Sequence, residues 1–276
     1  MKKNLDHDVV AGFGDEWSRF DQSVLSPEEQ ADVFEAYFAI FPWSKLNASA
    51  VGFDLGCGSG RWAKLVAPRV GTLHCIDASP AALNVAKQNL RQVDNCRFHV
   101  ASVDEIPLED ASCDFAYSLG VLHHVPDTAA AITACTAKLK RGAPFLIYLY
   151  YRFDNRPFWF RIVWKFSDVF RIVISRAGHP FRYFMSQFIA AVVYYPLARL
   201  ALLMEKAGVD VDSFFLSSYR NRSFYMMRTD ALDRFGTRLE QRFNRDEIRG
   251  MMERAGLVNI VFSDQAPYWC AVGTKR

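Results

Sequence analysis

The sequence predicts a doubly wound α/β fold, and two observations support that prediction. Short apolar strands alternate with helical segments from Val51 to about Tyr151, which is the pattern of a parallel sheet covered on both faces. The last two predicted strands, LVNIVFS and YWCAVG, meet through the short segment SDQAP, which favours a hairpin. We therefore expect a mostly parallel sheet whose last strand is antiparallel to its neighbour.

Local signals place the individual elements. The strand AVGFDL precedes GRWAKLVAPR, a predicted helix that Pro68 helps to end. The strand GTLHCID precedes a helix with Ser79 as its N-cap and Pro80 at its first position. CRFHVA and CDFAYSLGV are the third and fourth strands, Asp127 caps the next helix, and the fifth strand FLIYLYY is apolar throughout. The alternation of strand and helix is thus complete through five strands.

The alternation stops after Tyr151. From Arg152 to about Arg222 the chain is helical in pattern and holds 16 of the 40 aromatic residues. It also holds eleven Lys and Arg against five Asp and Glu, a net charge of +6, whereas the whole chain carries only +3. The alternation resumes with NRDEIRGMMERAG, in which Asn244 and Glu247 predict a capping box. The segment 152–222 is therefore an insertion after the fifth strand.

Composition excludes several classes of protein. A length of 276 residues with 51% hydrophobic content supports one substantial core, and a net charge of +3 is too small to indicate nucleic-acid binding. The six cysteines form no CxxC pair and no zinc spacing with histidine, so we expect reduced thiols and no metal site. Acids follow the first lysines where a signal peptide has apolar residues, and the uncharged run Tyr183–Ala198 is shorter than a membrane span. We expect a cytoplasmic protein.

The glycine-rich turn after the first strand carries the functional argument. In VGFDLGCGSGRW, Asp54 precedes Gly56, Gly58 and Gly60, and Arg61 occupies the third position of a dinucleotide fingerprint. The stretch also lacks the lysine of a nucleotide-triphosphate loop. What remains is D-x-G-x-G-x-G, which resembles the first motif of class I S-adenosylmethionine-dependent methyltransferases. The order of elements is similar to that family from about Val51 to the C-terminus, apart from the insertion.

The resemblance implies a Rossmann-like seven-stranded sheet, S-adenosylmethionine as cofactor and direct SN2 transfer of its methyl group. An acid at the end of the first strand, Asp54, suits the cofactor's ammonium group, and glycines at 56 and 58 allow the backbone to approach it. Asp77 ends the second strand 21 residues after Gly56, where a carboxylate can accept both ribose hydroxyls. Ser102 stands where the family usually has an acid for adenine, and Val103 can offer its backbone N–H.

The fourth strand ends in SLGVLHHVPD, which resembles the LHHV segment of the small-molecule and lipid branch often called type 11. Histidine is the side chain whose ordinary pKa lies near neutrality, so His123 and His124 are both candidates to take a proton from the attacking group; the alternative is that they order the loop. No Asn/Asp-Pro-Pro-Tyr segment is present, so we expect no DNA substrate. We expect the cofactor-binding set to be the following residues: Asp54, Gly56, Cys57, Gly58, Gly60, Asp77, Ala78, Ser102, Val103, Leu119, Gly120 and Trp17.

Three regions follow from the resemblance and the insertion. GFGDEWSRF precedes a predicted helix, and related enzymes fold an N-terminal segment over the cofactor, so we expect a helical lid over 1–44 that Trp17 and Phe20 help to close. A hydrophobic staple is the alternative for these two residues. The methyltransferase core is predicted over 45–151 and 223–276, and a helical cap over 152–222.

An amphipathic helix is predicted within the insertion, with Trp159, Ile162, Phe166 and their neighbours at helical spacing on one face. Arg161, Lys165 and Asp168 are expected on another face. The apolar stripe is expected to pack on the sheet domain or on a second subunit, which allows a homodimer. A second interpretation is a cap over the substrate pocket that also meets anionic lipid at the inner membrane face, and RNA contact is a third.

We therefore expect a methyltransferase that acts on a small-molecule or lipid-like acceptor. A non-catalytic cofactor-binding scaffold or partner subunit and an RNA methyltransferase are the alternatives. The acceptor atom stays open among oxygen, nitrogen, carbon and sulfur.

Overall fold

The computed structural model describes residues 3–276 and contains one seven-stranded sheet. The strands are β1 (Val51–Leu55), β2 (Thr72–Asp77), β3 (Cys96–Val100), β4 (Phe115–Leu119), β5 (Pro144–Tyr148), β6 (Leu257–Phe262) and β7 (Cys270–Lys275). Their order across the sheet is β3-β2-β1-β4-β5-β7-β6. The first five are parallel, and β7 pairs antiparallel with both β5 and β6. The predicted fold class is confirmed, including the antiparallel last strand.

Ten α-helices accompany the sheet in the described chain, and the predicted caps are present. They are α1 (His7–Arg19), α2 (Pro27–Phe38), α3 (Ala63–Val66), α4 (Pro80–Asn89), α5 (Thr128–Ala137), α6 (Phe158–Ile174), α7 (His179–Ile189), α8 (Tyr195–Lys206), α9 (Phe224–Gly236) and α10 (Arg245–Arg254). The Ser79 side chain caps α4, the Asp127 side chain caps α5, and Asn244 with Glu247 forms a capping box on α10. The helix expected directly after the glycine turn is only one turn long as α3, and a 3₁₀ turn continues it.

The chain divides into two compact units, which we call the core unit and the helical unit. The core unit comprises residues 3–23, 30–152 and 239–276, and it contains the whole sheet. One hydrophobic cluster lies on each face of this sheet. Phe53, Ile76 and Phe145 belong to one cluster, and Phe115 and Tyr117 belong to the other. All five side chains are fully buried, so the sheet is covered on both faces as a parallel sheet requires.

The helical unit comprises residues 24–29 and 153–238. A π-helical turn over Ala190–Tyr194 joins α7 to α8 in one continuous helix from His179 to Lys206. By length and composition alone, this helix is able to cross a membrane. The core of the unit is made by side chains of α6, the π-helical turn, α8 and α9: Ile174, Ala190, Tyr194, Ala198, Met227, Ala231 and Phe235. The predicted domain boundaries remain a prediction.

Two expectations about helices differ from the structure in detail. GFGDEWSRF was expected ahead of a helix, but it lies almost entirely within α1, which begins at His7 behind an Asp6 cap. Asp168 was expected on the same face as Arg161 and Lys165, but it pairs with the buried Arg171. The apolar stripe of α6 is exposed in the single chain, so its packing on a second subunit stays a prediction.

Candidate active site

The glycine turn joins β1 to α3 and adopts a backbone that needs glycine. Gly56, Gly58 and Gly60 have φ angles of +75°, +53° and +77°, in the left-handed region that side chains disfavour. The amides of Gly56 and Cys57 donate to the carbonyl of Ile76 at 2.7 and 3.1 Å, which ties the turn to β2. Glycine is therefore required here by the backbone itself, before any ligand is considered.

Asp77 lies at the end of β2 and fixes both neighbouring turns. One carboxylate oxygen accepts from the amide of Gly58 at 2.9 Å, and the other accepts from the amide of Ser79 at 2.8 Å. Desolvation raises the pKa of Asp77, and the hydrogen bonds from Ser79 and Gly58 oppose that rise. Each carboxylate oxygen has a second lone pair, so the group keeps acceptor capacity for two further donors. Ala78, the next residue, is partly exposed beside it.

Asp54 lies inside β1, one residue before its end, and its side chain is completely buried. It shares a face of the sheet with Cys75 and Tyr117 on the neighbouring strands. Desolvation raises the pKa of Asp54 well above its ordinary value, and the Tyr117 hydroxyl opposes this rise. No hydrogen bond of standard geometry reaches either carboxylate oxygen from residues 3–276. A buried acid with unfilled acceptor sites is unfavourable unless a donor from outside the chain meets it.

Two more buried polar side chains at the carboxyl end of the sheet also lack a hydrogen-bond partner within residues 3–276. Ser102 follows β3, and its hydroxyl has no hydrogen-bond partner among the described residues; Val103 beside it is buried. His123 follows β4 and is completely buried, and neither ring nitrogen has a hydrogen-bond partner in the part of the chain that is described. Between the strands, Gly120 has a φ of +80° and faces open space, while Leu119 is buried. Unfilled polar groups and open space therefore coincide at one edge of the sheet.

The two histidines have different surroundings. The His123 ring stacks on Tyr150, with the ring centroids 3.9 Å apart. Desolvation lowers the pKa of His123 well below its ordinary value, and the neighbouring His124 and Arg242 lower it further. His123 is therefore neutral at pH 7, with a ring nitrogen lone pair available. The Nδ1 of His124 lies 2.7 Å from the carbonyl of Leu239, which holds that ring in place.

The sequence analysis missed three side chains around His123. Tyr150 follows β5 and stacks on His123, while the Arg242 guanidinium lies 5.0 Å from the Tyr150 ring centroid. Glu240 pairs with Arg242 at 2.7 Å, and both side chains are largely buried. The density of arginine and glutamate in LEQRF was visible in the sequence. Its closeness to β4 was not, because more than 100 residues separate the two segments.

The N-terminal segment and α1 cross the same edge of the sheet. The Asn4 side chain donates to the Asp127 carbonyl and accepts from the Asp127 amide, both at 2.7 Å. The ring of Phe13 lies 5.0 Å from that of His124. A Cβ on Gly58 would meet the Trp17 indole at 2.8 Å, so the indole lies against the glycine turn. Phe20, the other predicted lid residue, is buried.

The residues expected to hold the cofactor fit it by the chemistry that they present. Asp54 and Asp77 offer carboxylate acceptors, Ser102 offers an unfilled hydroxyl, and the glycine turn offers backbone without side chains. An adenosyl group with an ammonium and two ribose hydroxyls supplies the donors that these acceptors lack. No three His, Cys, Asp or Glu side chains are grouped as metal ligands within residues 3–276.

Comparisons with known proteins find a methyltransferase domain in this chain. Residues 53–147 match the model of a methyltransferase domain. The ubiquinone biosynthesis O-methyltransferase of Xanthomonas axonopodis pv. citri (strain 306) is 27% identical over 188 residues, covering 66% of this chain and 73% of the relative. The enzyme of the same name from Acinetobacter baylyi is 36% identical over 92 residues, which cover 32% of this chain and 39% of the relative.

Solved structures agree on the fold. Phosphoethanolamine N-methyltransferase 2 of Haemonchus contortus, in complex with phosphomonomethylethanolamine and S-adenosylhomocysteine, matches with a TM-score of 0.51 at 15% identity. The match covers 95% of this chain and 44% of that one. The matched domain and the fold define an enzyme that uses an adenosyl cofactor.

The matched domain and the sequence relatives, together with the fold, support a class I S-adenosylmethionine-dependent methyltransferase. The protein is an enzyme, its cofactor is S-adenosylmethionine, and the resemblance of the glycine motif to this class is confirmed. The relatives imply a small-molecule acceptor.

Proposed function

We propose that the enzyme methylates an oxygen of a small or lipid-like acceptor that enters beside His123. The unpartnered, completely buried imidazole of His123 is the observation that carries this proposal. The O-methyltransferase names of the sequence relatives favour oxygen over the other acceptor atoms. Intact acidic and glycine positions speak against a non-catalytic scaffold, and no separate RNA-binding segment supports the RNA alternative.

The cofactor site of the proposal uses the predicted set of residues. Asp77 would accept from the ribose, Ser102 and Val103 would meet the adenine, and Asp54 would hold the ammonium group directly or through water. Leu119 and Gly120 would border the methionine part. S-adenosylmethionine supplies an electrophilic methyl group for direct displacement by the acceptor.

The histidines would act on the acceptor rather than on the cofactor. A neutral His123 can accept the hydrogen of an acceptor hydroxyl and take its proton as the oxygen attacks. Its low pKa makes it a weak base, so we assign it chiefly the orientation of that hydroxyl. His124 would act as a positioning residue, because its Nδ1 is engaged at Leu239.

Around them, α1 is proposed as the lid that excludes water from the transfer. Trp17 lies against the glycine turn and Phe13 lies beside His124, so one helix contacts both halves of the site. The insertion over 152–222 is proposed as the cap that selects a bulky acceptor, and we propose a cytoplasmic location.

The experiment is a methyl-transfer screen on extracted metabolites and lipids. The full chain is incubated with S-adenosylmethionine that carries a heavy-isotope methyl group, and mass spectrometry detects products that gain it. We expect a labelled methyl ether from a hydroxylated, amphipathic compound. Heat-denatured enzyme provides the blank, and an Asp77→Ala variant should give less labelled product when the cofactor is limiting. Label found only on nitrogen, or only on RNA, would overturn the oxygen assignment.

A further inference from the structure

The helical unit exposes an unusual amount of apolar surface. Of the 21 large apolar side chains that are exposed in the described chain, 18 lie between residues 158 and 224. Phe158 and Phe166 are each 68% exposed, Phe170 is 65% exposed and Phe184 is 64% exposed. Soluble monomers rarely gather so many large apolar side chains in one part of their surface, and such surfaces mark sites of interaction.

Helix α6 is inverted relative to a helix at the surface of a soluble protein. Its polar contacts point into the helical unit: the buried Arg171 pairs with Asp168 at 2.5 Å and donates to the Thr237 carbonyl at 3.2 Å. Arg234 of α9 donates to Ser167 at 2.8 Å. Its exposed face carries instead a run of apolar side chains: Phe158, Trp159, Ile162, Val163, Phe166, Val169, Phe170 and Val173. A soluble helix arranges these two faces the other way round.

Helix α7 repeats the inversion. Arg182 donates to the Gly236 carbonyl at 3.0 Å, and Arg228 of α9 donates to Gln187 at 2.5 Å, so polar groups of α7 are used inside the unit. The exposed apolar side chains of α7 follow helical spacing and continue into α8: Phe181, Phe184, Phe188, Val192, Tyr195, Leu200 and Leu203. Two neighbouring helices thus show the same reversal, which makes it a property of the unit.

The exposed charges on α6 indicate which kind of partner this surface binds. Arg161 and Lys165 are exposed among the apolar side chains, and the one acid of α6, Asp168, is half-buried against Arg171. A second copy placed symmetrically on this face would set cations against cations. Anionic lipid headgroups above an apolar interior match both properties, because aromatic rings enter the headgroup boundary while basic side chains meet phosphate.

A surface position is favoured over a membrane span. The helix His179–Lys206 is about 42 Å long at 1.5 Å per residue, enough to cross a bilayer. A span would carry Arg182 and Gln187, with their partners in α9, into hydrocarbon, which is costly. Contact through the exposed face leaves those hydrogen bonds away from lipid.

We propose that the exposed face of α6, α7 and α8 docks the enzyme on the surface of an anionic phospholipid bilayer. The helices lie in the plane of one leaflet, with Phe166 and Phe170 among the inserted side chains and Arg161 and Lys165 at the phosphates. A docked enzyme meets acceptors that are dissolved in the bilayer. This part of the inference rests on the proposed function, which includes a lipid-like acceptor.

Vesicle flotation of the full chain tests the proposal. Phosphatidylcholine vesicles with and without phosphatidylglycerol are compared at low and high salt, and we expect flotation that requires the anionic lipid and weakens with salt. Phe166→Asp should weaken binding about tenfold or more, because a buried aromatic ring is lost. Arg161→Gln and Lys165→Gln should each weaken it about fivefold. Val261→Asp, which changes a 52% exposed valine in the core unit, is the matched control and should bind as the parent does.

Each other outcome counts against the proposal. Absence of flotation at low salt would overturn it, as would equal weakening by Val261→Asp and Phe166→Asp. Lipid-free dimers that Phe166→Asp dissociates, without vesicle binding, would assign the face to a second copy. Binding of single-stranded RNA instead of vesicles would assign it to nucleic acid. Calorimetry of S-adenosylmethionine binding on the same variants should show unchanged affinity, so failure of docking and failure of the proposed function are distinguishable.

Discussion

At Asp77 a single carboxylate orders the site and is proposed to bind the ligand. Its two oxygens accept from Gly58 in the glycine turn and from Ser79 at the start of α4, so the turn and the helix are fixed relative to β2. The remaining lone pairs of the same oxygens are the proposed ribose acceptors. Loss of the side chain therefore removes both the contact and the order.

We expect Asp77→Ala to lower the affinity for S-adenosylmethionine at least about tenfold, because charge-assisted hydrogen bonds contribute about 1.5–3 kcal/mol each. Asp77→Asn keeps one acceptor oxygen and should lose less. Titration calorimetry measures both. Asp110→Ala removes an exposed carboxylate paired with Lys138 and serves as control. Unchanged affinity in a folded Asp77→Ala variant would remove this residue from the ribose site.

The two histidines should respond differently to truncation. His123→Ala should lower kcat about a hundredfold if it takes the acceptor proton, and only a few fold if it merely orients the acceptor. Its effect on cofactor affinity should be small in both cases. His124→Ala should have the smaller effect, since its ring is engaged at Leu239. Unchanged kcat and unchanged acceptor KM in both variants would return the pair to a structural role.

Burial of His123 also has a consequence for stability. The pKa of His123 is lowered in the folded state. Below about pH 6.5 this imidazole is therefore protonated in the unfolded chain while it is still neutral in the folded chain. The free energy of unfolding must therefore fall as the pH falls through that value, by up to about 1.4 kcal/mol per pH unit for one proton. No such loss from His123 arises at higher pH, where the imidazole is neutral in both states.

We expect His123→Phe, which preserves a ring against Tyr150, to reduce this acid loss. Urea unfolding of parent and variant is measured at about pH 8 and about pH 5.5, on either side of the ordinary histidine pKa. The loss in free energy of unfolding between the two pH values is then compared between the two proteins. His74 and His99 also have lowered pKa values, but they are present in both proteins and cancel. An equal acid loss in parent and variant would contradict the burial of a neutral His123.

Individual residues were predictable from the sequence where a motif fixes both the residue type and its position relative to a strand. Asp54, Asp77 and the three glycines were predicted from their spacing, and the structure places them around one turn. Tyr150, Glu240 and Arg242 were missed because their closeness to His123 arises only when the chain returns to the core unit after the helical unit. Their roles toward ligands remain proposals.

At the scale of elements, α1 is the helix that the sequence represents least well. GFGDEWSRF was expected ahead of a helix but lies within α1, although glycine, which stands at positions 12 and 14, disfavours helix interiors. The structure gives a reason for the second one: a Cβ on Gly14 would meet the Ser79 hydroxyl at 2.7 Å, where α1 crosses the start of α4. The close approach of two helices therefore outweighs intrinsic propensity at this position.

Gly58→Ala should separate backbone strain from lid contact. The new methyl group would have to adopt a φ of +53° and would approach the Trp17 indole at 2.8 Å. Gly142→Ala is the matched control, since its φ is +81° and nothing lies within 4 Å of the added carbon. Each variant should lose about 1 kcal/mol of stability from the backbone. Only Gly58→Ala should also lose cofactor affinity, and equal affinities in the two variants would separate Trp17 from the site.

The amphipathic pattern of α6 was predicted, but the orientation of its apolar face was not. Periodicity predicted α6 correctly as an amphipathic helix, because the 3.6-residue spacing of apolar side chains is visible in any sequence. The same periodicity does not say which face is buried. Arg171 and Asp168 form the inward contact, and Phe166 and Phe170 point outward. The usual assumption that apolar faces turn inward therefore failed for this helix.

At the scale of the whole molecule, the alternation of strands and helices and the short terminal connection predicted the doubly wound class and the antiparallel last strand, but not the order of the strands. The order β3-β2-β1-β4-β5-β7-β6 brings the carboxyl ends of β1, β2, β3 and β4 to one edge, where the predicted cofactor residues lie. The long excursion between β5 and β6 was visible as a change in composition, but its internal packing was not.

All six cysteines are buried free thiols, and Cys57 lies inside the glycine turn itself. A hydrogen bond with Cys75 lowers the pKa of this thiol, but burial and the nearby carboxyl groups of Asp77 and Asp54 outweigh it and raise the pKa to about 11. The folded protein therefore holds almost no thiolate there at pH 7. An alkylating reagent can reach this sulfur only while the turn is open, so the rate of alkylation measures how often the turn opens. We expect saturating S-adenosylmethionine to slow the alkylation of Cys57, measured by peptide mass spectrometry. The alkylation of Cys135, a buried residue of α5, should stay nearly unchanged. Equal slowing at both sites would mean that the turn opens only when the whole domain unfolds.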